Sequence, residues 1–192
     1  LSHSSNPARK TQYTFELLRT TPGDFIGINT QRANDLVDEG LNRGMIPGLA
    51  GYAGYDREVK VDRGRLDFKL YSNDLPAGPS GLCFVEVKSV TLLDSSGIGL
   101  FPDAVTQRGL KHIEILRGLK QKGYRSVLLY CVQHTGIREV YLADQVDAVY
   151  AAAVRAAVEE GVEVIAMQAA FQPPFGWLNR QVPFVTNVLG SL

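Results

Sequence analysis

The run Cys83-Phe-Val-Glu86-Val-Lys88-Ser-Val90 sets two opposite charges, two residues apart, inside a strand-length segment that is otherwise almost wholly apolar. A strand sends alternate side chains to opposite faces, so Glu86 and Lys88 share one face while Val85, Val87 and Ser89 take the other. Apolar flanks on both faces are the mark of a strand covered on both sides. There a charge without a partner costs several kcal/mol, so each charge needs one. Upstream, Arg65-Leu-Asp67-Phe-Lys-Leu70 is a second short apolar run with one acid inside it. If the two strands pair, Asp67, Glu86 and Lys88 converge. The plainer alternative is an acid and a base pairing across a solvent-facing sheet, an interaction worth little.

The rest of the chain supplies a sheet for these strands. Thr11 to Arg19 alternates like a half-buried strand, Thr21-Pro-Gly-Asp24 is a turn, and Phe25 to Ile28 is the return strand of a hairpin. Asn29 or Thr30 caps a helix over Gln31 to Asn42, with apolar Ala33, Leu36, Val37 and Leu41, and Gly44 and Pro47 end it. Glu58 to Val61, a turn at 62–64, and Arg65 to Leu70 read as a hairpin. A Pro- and Gly-rich loop over 73–81 leads to the third strand, 82–90. A loop over 94–103 precedes a helix from Thr106 to Lys122, whose stripe is Leu110, Ile113 and Leu116 with either Leu119 or Ile115. Tyr124 to Val132, apolar without a break from Val127, reads as a central strand. An alanine-rich helix over 144–160 stops at Gly161, and Val162 to Phe171 is the last strand. This order predicts a mixed α/β sheet with helices on its faces.

Composition narrows the function classes. Twenty basic and twenty acidic residues leave no net charge, which excludes a protein that coats nucleic acid by bulk electrostatics. From Glu86 to Arg125, however, seven basic and four acidic residues give a local net +3, so a nucleic-acid surface is expected there. No segment has the length and apolarity of a membrane span. Cys83 and Cys131 lie in apolar strands without CxxC spacing and read as packing residues of a reduced, cytoplasmic protein.

Two carboxylates and an ammonium on adjacent strands suit phosphodiester chemistry. Cleavage calls for a hard cation with oxygen ligands, Mg²⁺ or Mn²⁺, and the absence of a His/Cys cluster speaks against zinc. Asp67 and Glu86 are the expected ligands, with the Val87 carbonyl as a third and Glu39, on the first helix, as a candidate fourth. Glu39 has an ordinary reading as a solvated helix-face acid. Lys88 can orient a water and offset charge in the transition state. Arg65, Arg108, Lys111 and His112 are the expected nucleic-acid contacts, the last three near a helix start where a phosphate meets the helix dipole. With no carboxylate evident beside it, His112 ranks lower as a base. Asp103 is expected to cap that helix, with a water-mediated contact to the metal as the alternative.

Together, Arg65-Leu-Asp67-Phe68, Phe84-Val-Glu86-Val-Lys88-Ser-Val-Thr91, Phe101-Pro-Asp103-Ala-Val-Thr106 and Arg108-Gly-Leu-Lys111-His112 closely resemble the sugar fermentation stimulation protein A (SfsA) family. The resemblance implies an N-terminal OB-like barrel followed by a restriction-endonuclease-like domain, a PD-(D/E)xK mixed β-sheet flanked by helices. On that footing residues 1–28 are the remnant hairpin of the OB-like domain and residues 29–192 the nuclease-like domain. The family pattern falls on Asp67, Glu86 and Lys88, with Glu39 as the acid of the first helix. It implies a DNA-binding protein with a Mg²⁺- or Mn²⁺-dependent nuclease site. The alternative is a non-enzymatic, DNA-binding regulator of sugar metabolism that uses the fold as scaffold. A homodimer is compatible with either, and no membrane partner is expected.

Overall fold

The computed structural model describes residues 1–62, 64–72 and 79–187. The chain opens with two small antiparallel pairs, β1 (Ser2–His3) with β2 (Tyr13–Thr14) and β3 (Leu17–Arg19) with β4 (Phe25–Gly27). The single strand predicted over 11–19 is broken at Phe15 and Glu16. Glu16 turns to accept hydrogen bonds from Ser2 Oγ, Asn29 Nδ2 and Arg32 Nε. The β3–β4 hairpin is fastened to the body of the protein. Phe25 N–H donates to Thr135 Oγ1 at 2.9 Å, and Gly27 N–H donates to the Gln133 carbonyl at 2.7 Å.

Helix α1 (Arg32–Asn42) follows, entered through an Asx turn in which Asn29 Oδ1 accepts Gln31 N–H at 3.2 Å. It buries Ala33, Leu36, Val37 and Gly40 and is left through Gly44 at φ 62°. Strands β5 (Gly54–Val61), β6 (Gly64–Tyr71) and β7 (Leu82–Val90) form the expected antiparallel meander. Most of the predicted 73–81 loop, residues 73–78, lies outside the described residues. The chain continues through β8 (Leu92–Leu93), β9 (Ile98–Phe101), α2 (Gln107–Gln121), β10 (Arg125–Val132), β11 (Glu139–Leu142), α3 (Ala148–Glu159), β12 (Glu163–Gln172), β13 (Phe175–Gln181) and β14 (Phe184–Val185).

The main sheet has the order β13-β12-β10-β7-β6-β5, with β10 parallel to both β7 and β12 and every other pair antiparallel. Several strands were not foreseen. A second sheet, β14-β11-β9-β8, occupies part of the predicted 94–103 loop, and the Pro-Pro tail returns as the edge strand β13. Helix α3 starts at Ala148 rather than 144, because Asp147 caps it, its Oδ1 accepting Tyr150 N–H at 2.9 Å.

Alternation along β7 and β10 builds two cores. Phe84, Val90, Leu128, Tyr130 and Val132 pack under α2 and α3, while Cys83, Val85, Val87, Leu129 and Cys131 pack under α1. Fully buried side chains such as Ile113, Leu116 and Leu129 each contribute roughly 1.5–3 kcal/mol by leaving water. With both faces covered, β7 carries Glu86 into the interior, as its flanks require.

Candidate functional site

The site lies at a fork in the main sheet. β6 and β7 pair from Tyr71 and Leu82 as far as Phe68 and Val85, and there their pairing stops. Beyond that point β7 stays paired with β10 through Val90, while β6 stays paired with β5. The opening coincides with a local inversion of the strand. Opposite Asp67 on β5, Glu58 has φ 53°, a left-handed conformation that costs a side-chain-bearing residue about 1 kcal/mol or more. Both strands change faces here: Val59, Val61 and Leu66 pack under α2, whereas Tyr55, Phe68 and Leu70 pack under α1. Asp67, at the turnover, points its carboxylate across the fork. Its Oδ2 accepts Val87 N–H at 2.7 Å and its Oδ1 accepts Asn34 Nδ2 from α1 at 2.8 Å.

On the α2 side of β7, Glu86 is 2% exposed. Its Oε1 accepts Lys88 Nζ at 2.6 Å and is hydrogen-bonded to His112 Nδ1, while Lys88 Nζ and His112 Nδ1 stand 3.2 Å apart. A hydrogen bond between Nδ1 and an ionised carboxylate places the ring proton on Nδ1, so His112 is the donor. Glu86 Oε2 is buried and has no hydrogen-bond partner among the described residues.

The two carboxylates are driven in opposite directions. Burial pushes the Asp67 carboxyl upward and the neighbouring charge of Glu86 adds to it, against the hydrogen bonds from Val87 and Asn34 and the charge of Lys88. Burial acts to raise Glu86 as well, but the hydrogen bond from His112 and the charge of Lys88 outweigh it and hold Glu86 below its ordinary value. Glu86 is therefore the firmly ionised member and Asp67 the one closer to taking a proton.

Asp67, Glu86 and Lys88 thus come together, with the backbone of Val87 between them. Glu39 points elsewhere. It lies five residues beyond Asn34, about 140° around the helix, and pairs with Arg43 at 3.0 Å with its side chain 41% exposed. The α1 residue that reaches Asp67 is Asn34. His112, expected on a nucleic-acid surface, is buried against Glu86, which gives it the carboxylate neighbour that the sequence did not disclose. Its place was nonetheless written in the spacing, since Gly109, His112, Ile113 and Leu116 form the buried stripe of α2.

Arg108 and Lys111 are exposed and without an ion-pair partner among the described residues, whereas Arg65, also exposed, pairs with Glu58 at 3.2 Å. Three other basic residues of the positive stretch are neutralised, Arg117 by Glu160, Lys122 by Asp62 and Arg125 by Glu163. The α2 cap is Thr106, whose Oγ1 accepts Gly109 N–H at 2.9 Å, and Asp103 is left exposed. Among the described residues, no three His, Cys, Asp or Glu side chains converge as a ligand set. The acidic donors at the fork are Asp67 and Glu86, a number suited to a Mg²⁺-like ion that keeps waters and shares substrate phosphates. The orphaned, buried Glu86 Oε2 fits such an ion.

Residues 31–174 match the model of the family described as "Sugar fermentation stimulation protein RE domain". Sugar fermentation stimulation protein homologs from Teredinibacter turnerae and Pseudoalteromonas atlantica are similar to this chain. The first is 47% identical over 88% of this chain and 70% of its own length, the second 46% identical over 96% and 77%. In fold the chain is similar to Pyrococcus furiosus SfsA, solved in complex with Ca²⁺, with a TM-score of 0.83 at 22% identity, covering 95% of this chain and 76% of that one. With a family match over most of its length and relatives at nearly half identity, the chain belongs to the sugar fermentation stimulation protein family.

Proposed function

We propose that this protein is a DNA-binding, Mg²⁺- or Mn²⁺-dependent phosphodiesterase whose site is the fork between β6 and β7, in the manner of PD-(D/E)xK nucleases. The observation that carries this reading is Glu86 Oε2, a buried and partnerless carboxylate oxygen on an ionised side chain, beside a second carboxylate and an ammonium. Natural proteins seldom leave such an atom without a partner. The Ca²⁺ held by the Pyrococcus furiosus relative, a hard cation that takes oxygen ligands, supports the same chemistry.

Asp67 and Glu86 would hold the ion, which when bound would neutralise charge developing on the scissile phosphate. Asn34 and the Val87 N–H fix the orientation of Asp67, and His112 fixes that of Glu86. Lys88, 14% exposed, is the cation at the mouth that can meet a phosphate or orient a water. Arg108 and Lys111, exposed at the start of α2, would receive the backbone of the nucleic acid. Residues 1–28 would be the end of an OB-like domain, with the nuclease-like domain following.

A specific observation favours a second reading. Glu86 already has two cationic or hydrogen-bonding partners, and no three-ligand set exists among the described residues. The fold would then serve as the scaffold of a DNA-binding regulator. One experiment separates the two. The protein is incubated with single- and double-stranded DNA and RNA, with and without Mn²⁺, beside Glu86→Ala. Mn²⁺-dependent cleavage lost in Glu86→Ala supports the first reading. DNA binding that survives Glu86→Gln and Asp67→Asn, falls steeply with salt and never leads to cleavage supports the second.

A further inference from the structure

Glu86 offers its two oxygens unequally. Oε1 is occupied by Lys88 Nζ and His112 Nδ1, and Oε2 is buried without a partner. Of these two holders, Lys88 sits near the mouth of the fork on a flexible stem and is free to turn to a phosphate. His112 is 7% exposed and rigidly placed. Its helix is pinned at the start by two bonds, Gly109 N–H to Thr106 Oγ1 at 2.9 Å and Thr106 N–H to Asp147 Oδ2 at 2.9 Å, which lock α2 to the head of α3. Gly109, one turn before His112, lets α2 approach Tyr150 of α3, because a Cβ there would lie 3.1 Å from that ring.

We infer that His112 is a positioning residue that reserves Glu86 Oε1, so that Glu86 meets a divalent cation through Oε2 alone, and that this favours small octahedral ions over Ca²⁺. Ca²⁺ accepts six to eight oxygens and takes carboxylates through both oxygens readily, whereas Mg²⁺-like ions favour single-oxygen ligation in a strict octahedron. A donor fixed on one oxygen also keeps the carboxylate from rotating to present both. The inference rests on the metal-site reading above and adds a selectivity that the reading does not require.

The test is calorimetric titration of the full chain with Mn²⁺ and with Ca²⁺, comparing the ratio of the two dissociation constants. His112→Ala and His112→Leu, the second of which refills the space without a donor, should each move the ratio about tenfold toward Ca²⁺, the scale on which outer-shell partners act. His112→Asn, whose amide can donate from near the Nδ1 position, should return most of the preference. The inference is overturned if the wild-type ratio persists within about twofold in both donorless variants, or if His112→Asn behaves like His112→Leu. A wild-type chain that binds neither ion would instead sink the metal-site reading itself, and this inference with it. A normal Mn²⁺ affinity with an unchanged ratio would leave that reading standing.

Discussion

The backbone N–H of Val87 donates to Asp67 Oδ2 at 2.7 Å, at the place where the pairing of β6 with β7 has ended. A side chain thus takes over a donor that a continued ladder would have satisfied, and the fork stays open without leaving that N–H unpaired. The arrangement ties the shape of the sheet to the charge of one carboxylate.

Asp67→Asn separates the two. Burial and the Glu86 charge raise the folded-state pKa of Asp67 above its unfolded value. Between those values the folded chain binds more proton than the unfolded one, so stability falls as pH rises through the folded pKa, and at pH 7 the ionised Asp67 is a penalty. Asparagine keeps an acceptor for Val87 N–H, turns its NH₂ to Asn34, whose amide flips to accept it, and removes the penalty. Thermal unfolding at pH 7 should show Asp67→Asn as stable as wild type or more so, about 1 kcal/mol corresponding to ~2–4 °C in a chain of this size. On the metal site proposed above, Mn²⁺ should raise the melting temperature of the wild type and leave that of Asp67→Asn unchanged. A variant that loses several degrees without metal would show that the carboxylate stabilises the fork.

Two glycines of α2 should respond with opposite signs. At Gly118 a Cβ meets nothing within 4 Å, so Gly118→Ala gains helix propensity of up to about 1 kcal/mol. At Gly109 a Cβ would stand 2.8 Å from Thr106 Oγ1, the oxygen that caps α2, and 3.1 Å from the Tyr150 ring, so both the cap and the contact with α3 must give. Gly109→Ala should cost about 1–3 kcal/mol despite the propensity gain. Urea denaturation of the two variants checks the contrast, and destabilisation of equal size in both would refute it.

Arg125 donates to three residues. It donates to both oxygens of Glu163 at 2.8 and 2.6 Å, and its Nη1 reaches the Gly48 carbonyl at 2.7 Å and the Tyr52 hydroxyl at 3.1 Å. It therefore joins the starts of β10 and β12 to the loop that follows α1. Arg125→Lys keeps the charge and loses the planar fork of donors. Because the pair is partly exposed, the expected loss is about 1–2 kcal/mol in chemical denaturation. Arg117–Glu160, also bidentate and similarly exposed, tests what the bonds to Gly48 and Tyr52 add, since Arg117→Lys should cost less than Arg125→Lys in the same denaturation experiment.

The parts of the site that were legible in the sequence are those governed by strict alternation. Glu86 and Lys88 sit on a strand in unbroken register with β10, so period two placed them correctly on one face. Asp67 was recognisable as an acid in an apolar run, but it lies where β5 and β6 change faces, opposite Glu58 at positive φ, and nothing in the spacing of either strand announces that change. Asn34 borders the buried stripe Ala33, Leu36, Val37 and Gly40, and a neutral side chain there carries no mark of a partner one strand away. His112 was legible as buried, since it falls in the stripe with Gly109 and Ile113, but a basic neighbourhood drew the reading toward the surface. The short strands of the second sheet are two to four residues long, too short for alternation to separate them from loop.

Acid should loosen the junction of α2 and α3 through Asp147. One carboxylate oxygen accepts Tyr150 N–H and the other accepts Thr106 N–H, each at 2.9 Å, so a single side chain caps α3 and anchors the residue that caps α2. The bonds from Thr106 and then Tyr150 hold the Asp147 pKa below its ordinary value. The sign follows from proton uptake. With a depressed folded-state pKa, the stabilisation is fully present above the unfolded value of about 3.9 and is lost as pH falls through the folded value. Asp147→Ala should cost about 1–2 kcal/mol at pH 7, as loss of a helix cap does. The gap to wild type should narrow as the pH falls below about 4. Asp147→Asn keeps an oxygen for one of the two N–H groups, should lie between them at pH 7, and should not titrate. Urea denaturation of all three proteins at pH 7 and at several acidic values checks the series, and a gap that stays constant down the pH range would remove Asp147 from the acid response.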